Sequence, residues 1–354
     1  MSILYIAVGI LIFGLLIAVH ELGHFAAAKA CGVKVTEFAV GMGPAIVKKQ
    51  KGETLYSLRC IPFGGYCAME GEDGESEDPR AFSAQKGWKR LIILAAGSLM
   101  NFVTGLVIVL ILFSNAGGFR APVIEGFMEG CPYESAEGLQ RGDRFLRIDG
   151  KRVWQYYDVS ELLARSGTEE HDIVVLREGR RVKLDDFHFV PVEYKGQENK
   201  MYGFYFGTDP ATGLNKLRYA WGTTMEFVRM VRDALGQLFG GKVSVNDLSG
   251  PVGIVDMMAE TGENSESVSD ALYNIFYLGA FIAVNLAVMN MLPIPALDGG
   301  RVFLLLVTAL IEAITRKKLD PKYEGYIHAA GMILLLALMA YVLFHDIFRI
   351  VPKT

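Results

Sequence analysis

The chain has 354 residues, 51% of them hydrophobic, and a formal net charge of −4. The apolar share and a positive mean hydropathy exceed ordinary soluble composition, and the slight acidity gives no support to nucleic-acid binding. Cys31, Cys60, Cys67 and Cys131 show no paired pattern, which argues against a disulfide framework.

The first predicted element is an apolar membrane helix from about Ser2 to Ala30. It lacks the basic start of a signal peptide and is read as retained. Deep in that run stands His20-Glu21-Leu22-Gly23-His24. Helical residues four apart share a face, so His20 and His24 can grip one ion while Glu21 reaches the water at its open position. Each ionisable group near a bilayer centre costs on the order of 3 kcal/mol, so this cluster needs partners, and Zn²⁺ supplies them.

From Val40 to Met69, apolar stretches broken by Gly41, Gly43, Pro44, Gly52, Pro62, Gly64 and Gly65 predict β-hairpins. The acidic stretch from Glu70 to Asp78 reads as a solvated loop without chemistry. A second, charge-free membrane segment runs from Leu91 to Phe113. Between about Gly118 and Tyr194 charge rises and short β-patterned runs appear, with a helix over Tyr157 to Ala164 and strands over Asp172 to Arg177 and Arg181 to Phe187. His171 and His188 in this region read as surface residues. Asn215 to Phe239 is patterned as an amphipathic helix on the outer membrane face, with packing and gating both open as its role.

A third apolar region, Ala271 to Thr315, is too long for one helix and contains Asn290-Met291-Leu292-Pro293-Ile294-Pro295-Ala296-Leu297-Asp298-Gly299-Gly300. Two prolines and two glycines unwind the backbone around a lone carboxylate, which membrane depth tolerates only beside protein or a watered cavity. Asp298 is the natural third zinc ligand, because two His and one carboxylate leave the fourth position open, as catalytic zinc requires. A fourth segment runs from Ile327 to Phe344; His328 and His345 flank it without a partner motif. Lys48, Lys49, Lys51, Lys89 and Arg90 precede the second segment, and Arg316, Lys317, Lys318 and Lys322 precede the fourth. The positive-inside rule puts both basic loops in the cytoplasm, and both termini and the central region outside. His20, roughly 25 Å along its helix at 1.5 Å per residue, then lies toward the cytoplasmic leaflet.

His20-Glu21-Leu22-Gly23-His24, Leu297-Asp298-Gly299, Gly41-Met42-Gly43-Pro44, Pro62-Phe63-Gly64-Gly65-Tyr66 and Ser249-Gly250-Pro251-Val252-Gly253-Ile254 together resemble the site-2 protease family of intramembrane zinc metalloproteases, in its bacterial branch with a single PDZ domain. One departure is Gly97-Ser98-Leu99-Met100-Asn101, where the family has Gly-Pro ahead of the Met-Asn pair. The resemblance implies a mainly α-helical polytopic membrane protein with four membrane segments, a membrane-associated β-hairpin region and an inserted extracytoplasmic mixed α/β PDZ domain. The expected domains are residues 1–117 (protease core with the zinc motif), 118–200 (PDZ), 201–268 (amphipathic helix and connector) and 269–354 (core with the third-ligand motif).

By the same resemblance, His20, His24 and Asp298 hold Zn²⁺, Glu21 is the general base, and Asn290, Pro293, Gly64 and Gly65 lie along the substrate. The expected activity is that of a zinc metalloendopeptidase cutting single-span membrane proteins already shortened by another protease, such as anti-sigma factors or remnant signal peptides, in the bacterial cytoplasmic membrane. The PDZ domain would act as a substrate gate or as a passive spacer. A transporter would also bury charge beside a broken helix but should show repeated halves, which this sequence lacks. A catalytically inactive scaffold presenting the PDZ domain would have no need of Glu21.

Overall fold

The computed structural model describes residues 2–72, 74, 76–195, 199–241, 250–316 and 322–350. Asp73, Glu75, Ser249, Lys317 and Lys318 lie outside the described residues, as do the side chains of Pro62, Phe63, Pro251, Lys322 and His345. In chain order the elements are α1 (Ser2–Cys31), β1 (Val35–Lys51), β2 (Thr54–Met69), α2 (Gly87–Leu112), β3 (Gly118–Phe127), β4 (Arg144–Ile148), β5 (Lys151–Arg152), α3 (Tyr156–Ser166), β6 (Glu170–Arg177), β7 (Arg180–His188), β8 (Phe204–Pro210), α4 (Gly213–Phe239), α5 (Pro251–Glu263), α6 (Val268–Asn290), α7 (Asp298–Thr315) and α8 (Lys322–Ile350). They form two compact units, residues 1–112 with 224–354, and residues 113–223.

In the first unit, four helical stretches are long and apolar enough to cross a membrane among the described residues: Ile3–Cys31, Gly87–Asn115, Val268–Asn290 and Gly325–Val342. The third apolar region divides where its prolines and glycines stand, α6 ending at Asn290 and α7 beginning at Asp298. Small residues let these helices cross closely, as in lipid, where association depends on backbone approach. A Cβ added at Gly23 would stand 2.5 Å from the Ala96 carbonyl oxygen, and one at Gly105 would stand 2.7 Å from Val284. Helix α5 adds Met258 and Ala259 to a core of Tyr5, Ile12, Phe13, Leu16, Ile275 and Ile282 from α1 and α6.

Strands β1 and β2 form one long, folded hairpin rather than several short ones. Lys48–Lys51 pairs back onto Thr54–Ser57 next to the turn, while Val35–Val40 pairs with Gly65–Met69 on one side and, from Glu37, with Leu55–Leu58 on the other. Gly41 (φ +86°) and Gly43 (φ +80°) take the left-handed backbone that folds the strand over, a conformation cheap only for glycine. Its base packs Val33, Val35, Cys67 and Met69 against Ala28 of α1 and Ile93 and Leu94 of α2.

The acidic stretch after β2 is tied down, contrary to its reading as a solvated loop. Lys34 Nζ lies 3.3 Å from both Glu70 and Asp78, Ser76 donates to Glu70 at 2.8 Å, and Glu72 pairs with Arg301. Acidic composition suggests solvation only while the cationic partners, distant in sequence, are unknown.

The second unit is a sheet in the order β7-β6-β4-β3-β8, with β5 on β4, and α3 on its face. Ile124, Phe145, Ile148, Val159, Leu163, Ile173, Val175 and Phe189 form its core. Strand β8 lies beyond the boundary expected at residue 200, and pairs Phe204, Phe206 and Asp209 with β3. Its Phe204 and Phe206 pack on that core, which is why the unit does not close without it. Asp143, fully buried, accepts two bonds from Arg177, at 2.8 and 2.7 Å, and anchors the turn before β4. His171 is not a surface residue: it is 2% exposed and its Nδ1 sits 2.8 Å from Asp149. His188 is exposed.

Candidate metal centre

Helical period alone places His20 and His24 on one face of α1, and helix α2 fixes their rings. His24 Nδ1 donates to the Ile93 carbonyl at 2.8 Å, which leaves Nε2 with a free lone pair. His20 Nδ1 lies 3.4 Å from the buried side-chain amide of Asn101. The atom placed there is Nδ2; with the amide turned so that its unpartnered Oδ1 faces the ring, it would accept the Nδ1 proton and again free Nε2. Gly97 makes this closeness possible: a Cβ there would stand 2.3 Å from His24 Nε2 and 2.7 Å from His20 Cε1.

Asp298 arrives from the other end of the chain. Ala296 holds φ +79° in the loop just before α7, and Gly299 and Gly300 let the first turn fold under it. A Cβ at Gly299 would stand 2.3 Å from the Met291 carbonyl oxygen, and one at Gly300 would stand 2.1 Å from that of Ile294. Helix α8 touches the same loop, with His328 Nδ1 3.4 Å from the Ala296 amide.

The two Nε2 atoms are 3.2 Å apart, and Asp298 Oδ2 lies 3.1 Å from His20 Nε2 and 3.2 Å from His24 Nε2. Tetrahedral ligands about 2.0 to 2.1 Å from a zinc ion stand roughly 3.3 to 3.4 Å from one another, so the triangle has the size that zinc needs. Asp298 Oδ2 is buried without a hydrogen-bond partner, an orphan that a cation would satisfy. Among the described residues this is the one group of His, Cys, Asp or Glu that could hold a metal.

The remaining expected site residues fall around it unevenly. Gly65 abuts Glu21, since a Cβ there would stand 3.1 Å from Glu21 Cγ, whereas Gly64 (φ +92°) faces Met42. Asn290 places Nδ2 3.5 Å from His20 Nε2. Pro293 is exposed in the loop between α6 and α7. Sequence reasoning missed the positioning parts of α2, namely Gly97, Asn101 and the Ile93 carbonyl. The signal available was Asn101 alone, a polar side chain inside a charge-free membrane segment.

The peptidase family M50 model matches residues 8–338. A protein named as a zinc metalloprotease from Clostridium acetobutylicum is 36% identical over 350 residues, covering 98% of both chains. One so named from Fusobacterium nucleatum is 30% identical, covering 97% of this chain and 98% of its own. The regulator of sigma-W protease RasP of Bacillus subtilis is 27% identical over 426 aligned positions, covering 96% of this chain and 97% of its own. With four apolar helices and this likeness along nearly its whole length, the chain belongs to peptidase family M50 and is a multi-pass membrane metalloprotease that uses zinc.

Proposed function

We propose that the chain is a site-2-type intramembrane endopeptidase that cleaves transmembrane segments of single-span proteins. The observation that carries this reading is the meeting of His20, His24 and Asp298 on helices with apolar flanks. When bound, zinc polarises the scissile carbonyl and lowers the pKa of a water. Glu21, adjacent to His20 in α1, takes the proton from that water and delivers it to the leaving amine. Asn101 and the Ile93 carbonyl hold the imidazoles in the tautomer with Nε2 free. Asn290, beside His20, orients the substrate backbone.

A substrate helix must unwind to expose its amides, because an intact one hides them in i to i−4 bonds. Residues 65–69 pair with β1 on one side only among the described strands; along the other edge the Cys67 amide donates to Glu21 and the Met69 amide to Glu72, and the unwound segment can add as a strand by exchanging the Cys67 bond. Gly64 and Gly65 keep that edge free of bulk, and Pro293 borders the same path. Anti-sigma factors and remnant signal peptides, trimmed beforehand by another protease, have the required form. The basic loops face the cytoplasm, and both termini and the inserted unit face outward, in a bacterial cytoplasmic membrane.

In the purified full chain, Glu21→Gln should keep zinc and the fold while abolishing cleavage of a model single-span substrate, and His24→Ala should lose the metal as well. Turnover retained in the Gln variant would remove Glu21 from the mechanism. The inserted unit is read as a PDZ domain that filters by size. A substrate with a bulky ectodomain should then be cut faster once the domain is deleted, and a trimmed one equally by both forms; equal cleavage of long and trimmed substrates by the intact enzyme would sink the filter.

A further inference from the structure

The pair Glu72 and Arg301 has no part in hydrolysis as derived above. Arg301 stands in the first turn of α7, where a cation opposes the helix dipole. It is nonetheless drawn away from solvent onto Glu72, with side chains 26% and 15% exposed. The other oxygen of Glu72 accepts the Met69 amide at 3.3 Å, at the end of β2. One carboxylate thus joins the strand that borders Glu21 to the helix that carries Asp298. Of the residues of α7 only Gly299 and Gly300 are buried; Val302 packs on the core at the base of the hairpin, and Phe303, Leu306, Leu310 and Ile314 face outward.

We propose that Glu72 and Arg301 are positioning residues that fix where Asp298 stands relative to His20 and His24; the proposal rests on Asp298 being the third ligand. A metal ligand must be placed to within about 0.2 Å, which apolar packing of one side chain, Val302, does not by itself guarantee. A withdrawn ion pair suits that task, because its role is register more than net stability.

The test measures zinc affinity of the full-length chain in detergent by competition with a chromogenic chelator, with melting of the metal-free protein as the control for folding. Arg301→Gln and Glu72→Gln should each weaken zinc binding about 10- to 100-fold. Arg301→Lys, which keeps a cation on Glu72 and leaves the Met69 bond intact, should recover most of that loss. In an Asp298→Ala background, Arg301→Gln should change the residual affinity less than about twofold, because the pair acts through Asp298. Wild-type affinity in both folded single variants overturns the proposal, and so does an undiminished effect of Arg301→Gln without Asp298. If the Gln variants do not fold, Arg301→Lys decides: near-wild-type affinity supports the pairing, and a folded Arg301→Lys protein with the full loss overturns it. Wild-type affinity in Asp298→Ala alone is a separate outcome, which removes Asp298 as a ligand.

Discussion

The two halves of the proposed zinc site are built by different physics. The histidine half lies within one turn and a bit of α1, where spacing alone puts both rings on one face, and α2 presses against it through Gly23 and Gly97. The aspartate half stands where a helix is interrupted, on backbone held by Ala296 at φ +79°, by two glycines folded under the first turn and by a distant ion pair. The first half is rigid because it is local and closely packed; the second is placed by contacts that must all agree. Damage to the first should therefore act by occupying ligand space, and damage to the second by letting Asp298 drift.

The largest effect expected from this contrast is at Gly97. Gly97→Ala puts a methyl 2.3 Å from His24 Nε2, so zinc affinity should fall on the order of 100-fold or more. Chelation should then no longer lower the melting temperature, as it does for a protein that binds metal only when folded. A Gly97→Ala protein that still melts lower when chelated would show that the α1–α2 crossing has slack.

Gly300→Ala should come next. Its Cβ would stand 2.1 Å from the Ile294 carbonyl oxygen, and overpacking of this kind costs about 1 to 3 kcal/mol, or roughly 5- to 150-fold in zinc affinity if all of it falls on the loop. Melting of the metal-free protein should change little, because α7 contributes few buried side chains. A large loss of metal-free stability instead would place the loop in the core of the fold.

Asn101→Ala should be the mildest. Its contact with His20 is long, 3.4 Å, so the loss of affinity should sit near the tenfold end of what outer partners contribute. Asn101→Asp, which accepts the same proton, should restore binding; failure to do so would mean that the amide acts through packing rather than through the His20 tautomer.

What could be read from the sequence follows the same division. His20, Glu21 and His24 were legible because a helical period is local, and Asp298 because prolines and glycines around one carboxylate are improbable in a plain membrane helix. The structure brings three of these together, while their catalytic and ligand roles rest on the proposed mechanism. Gly97 was not legible as a site residue, because small residues mark helix crossings in general and only the register of α2 on α1 shows which one faces the rings. Glu72 was hidden inside an acidic run whose partner lies in the last third of the chain. Strand β8 was lost for a similar reason: Phe204 and Phe206 find their core only once β3 is beside them.

The joining of residues from the two ends of the chain has a consequence for synthesis. At about 5 to 20 residues per second, the ribosome needs from roughly ten seconds to about a minute to pass from His24 to Asp298. During that interval α1 carries His20, Glu21 and His24 without Asp298, the anion that completes the proposed ligand set. On the proposed ligand set, the newborn chain would therefore be silent toward the membrane helices around it, its own included, and would become a protease only when α7 arrives.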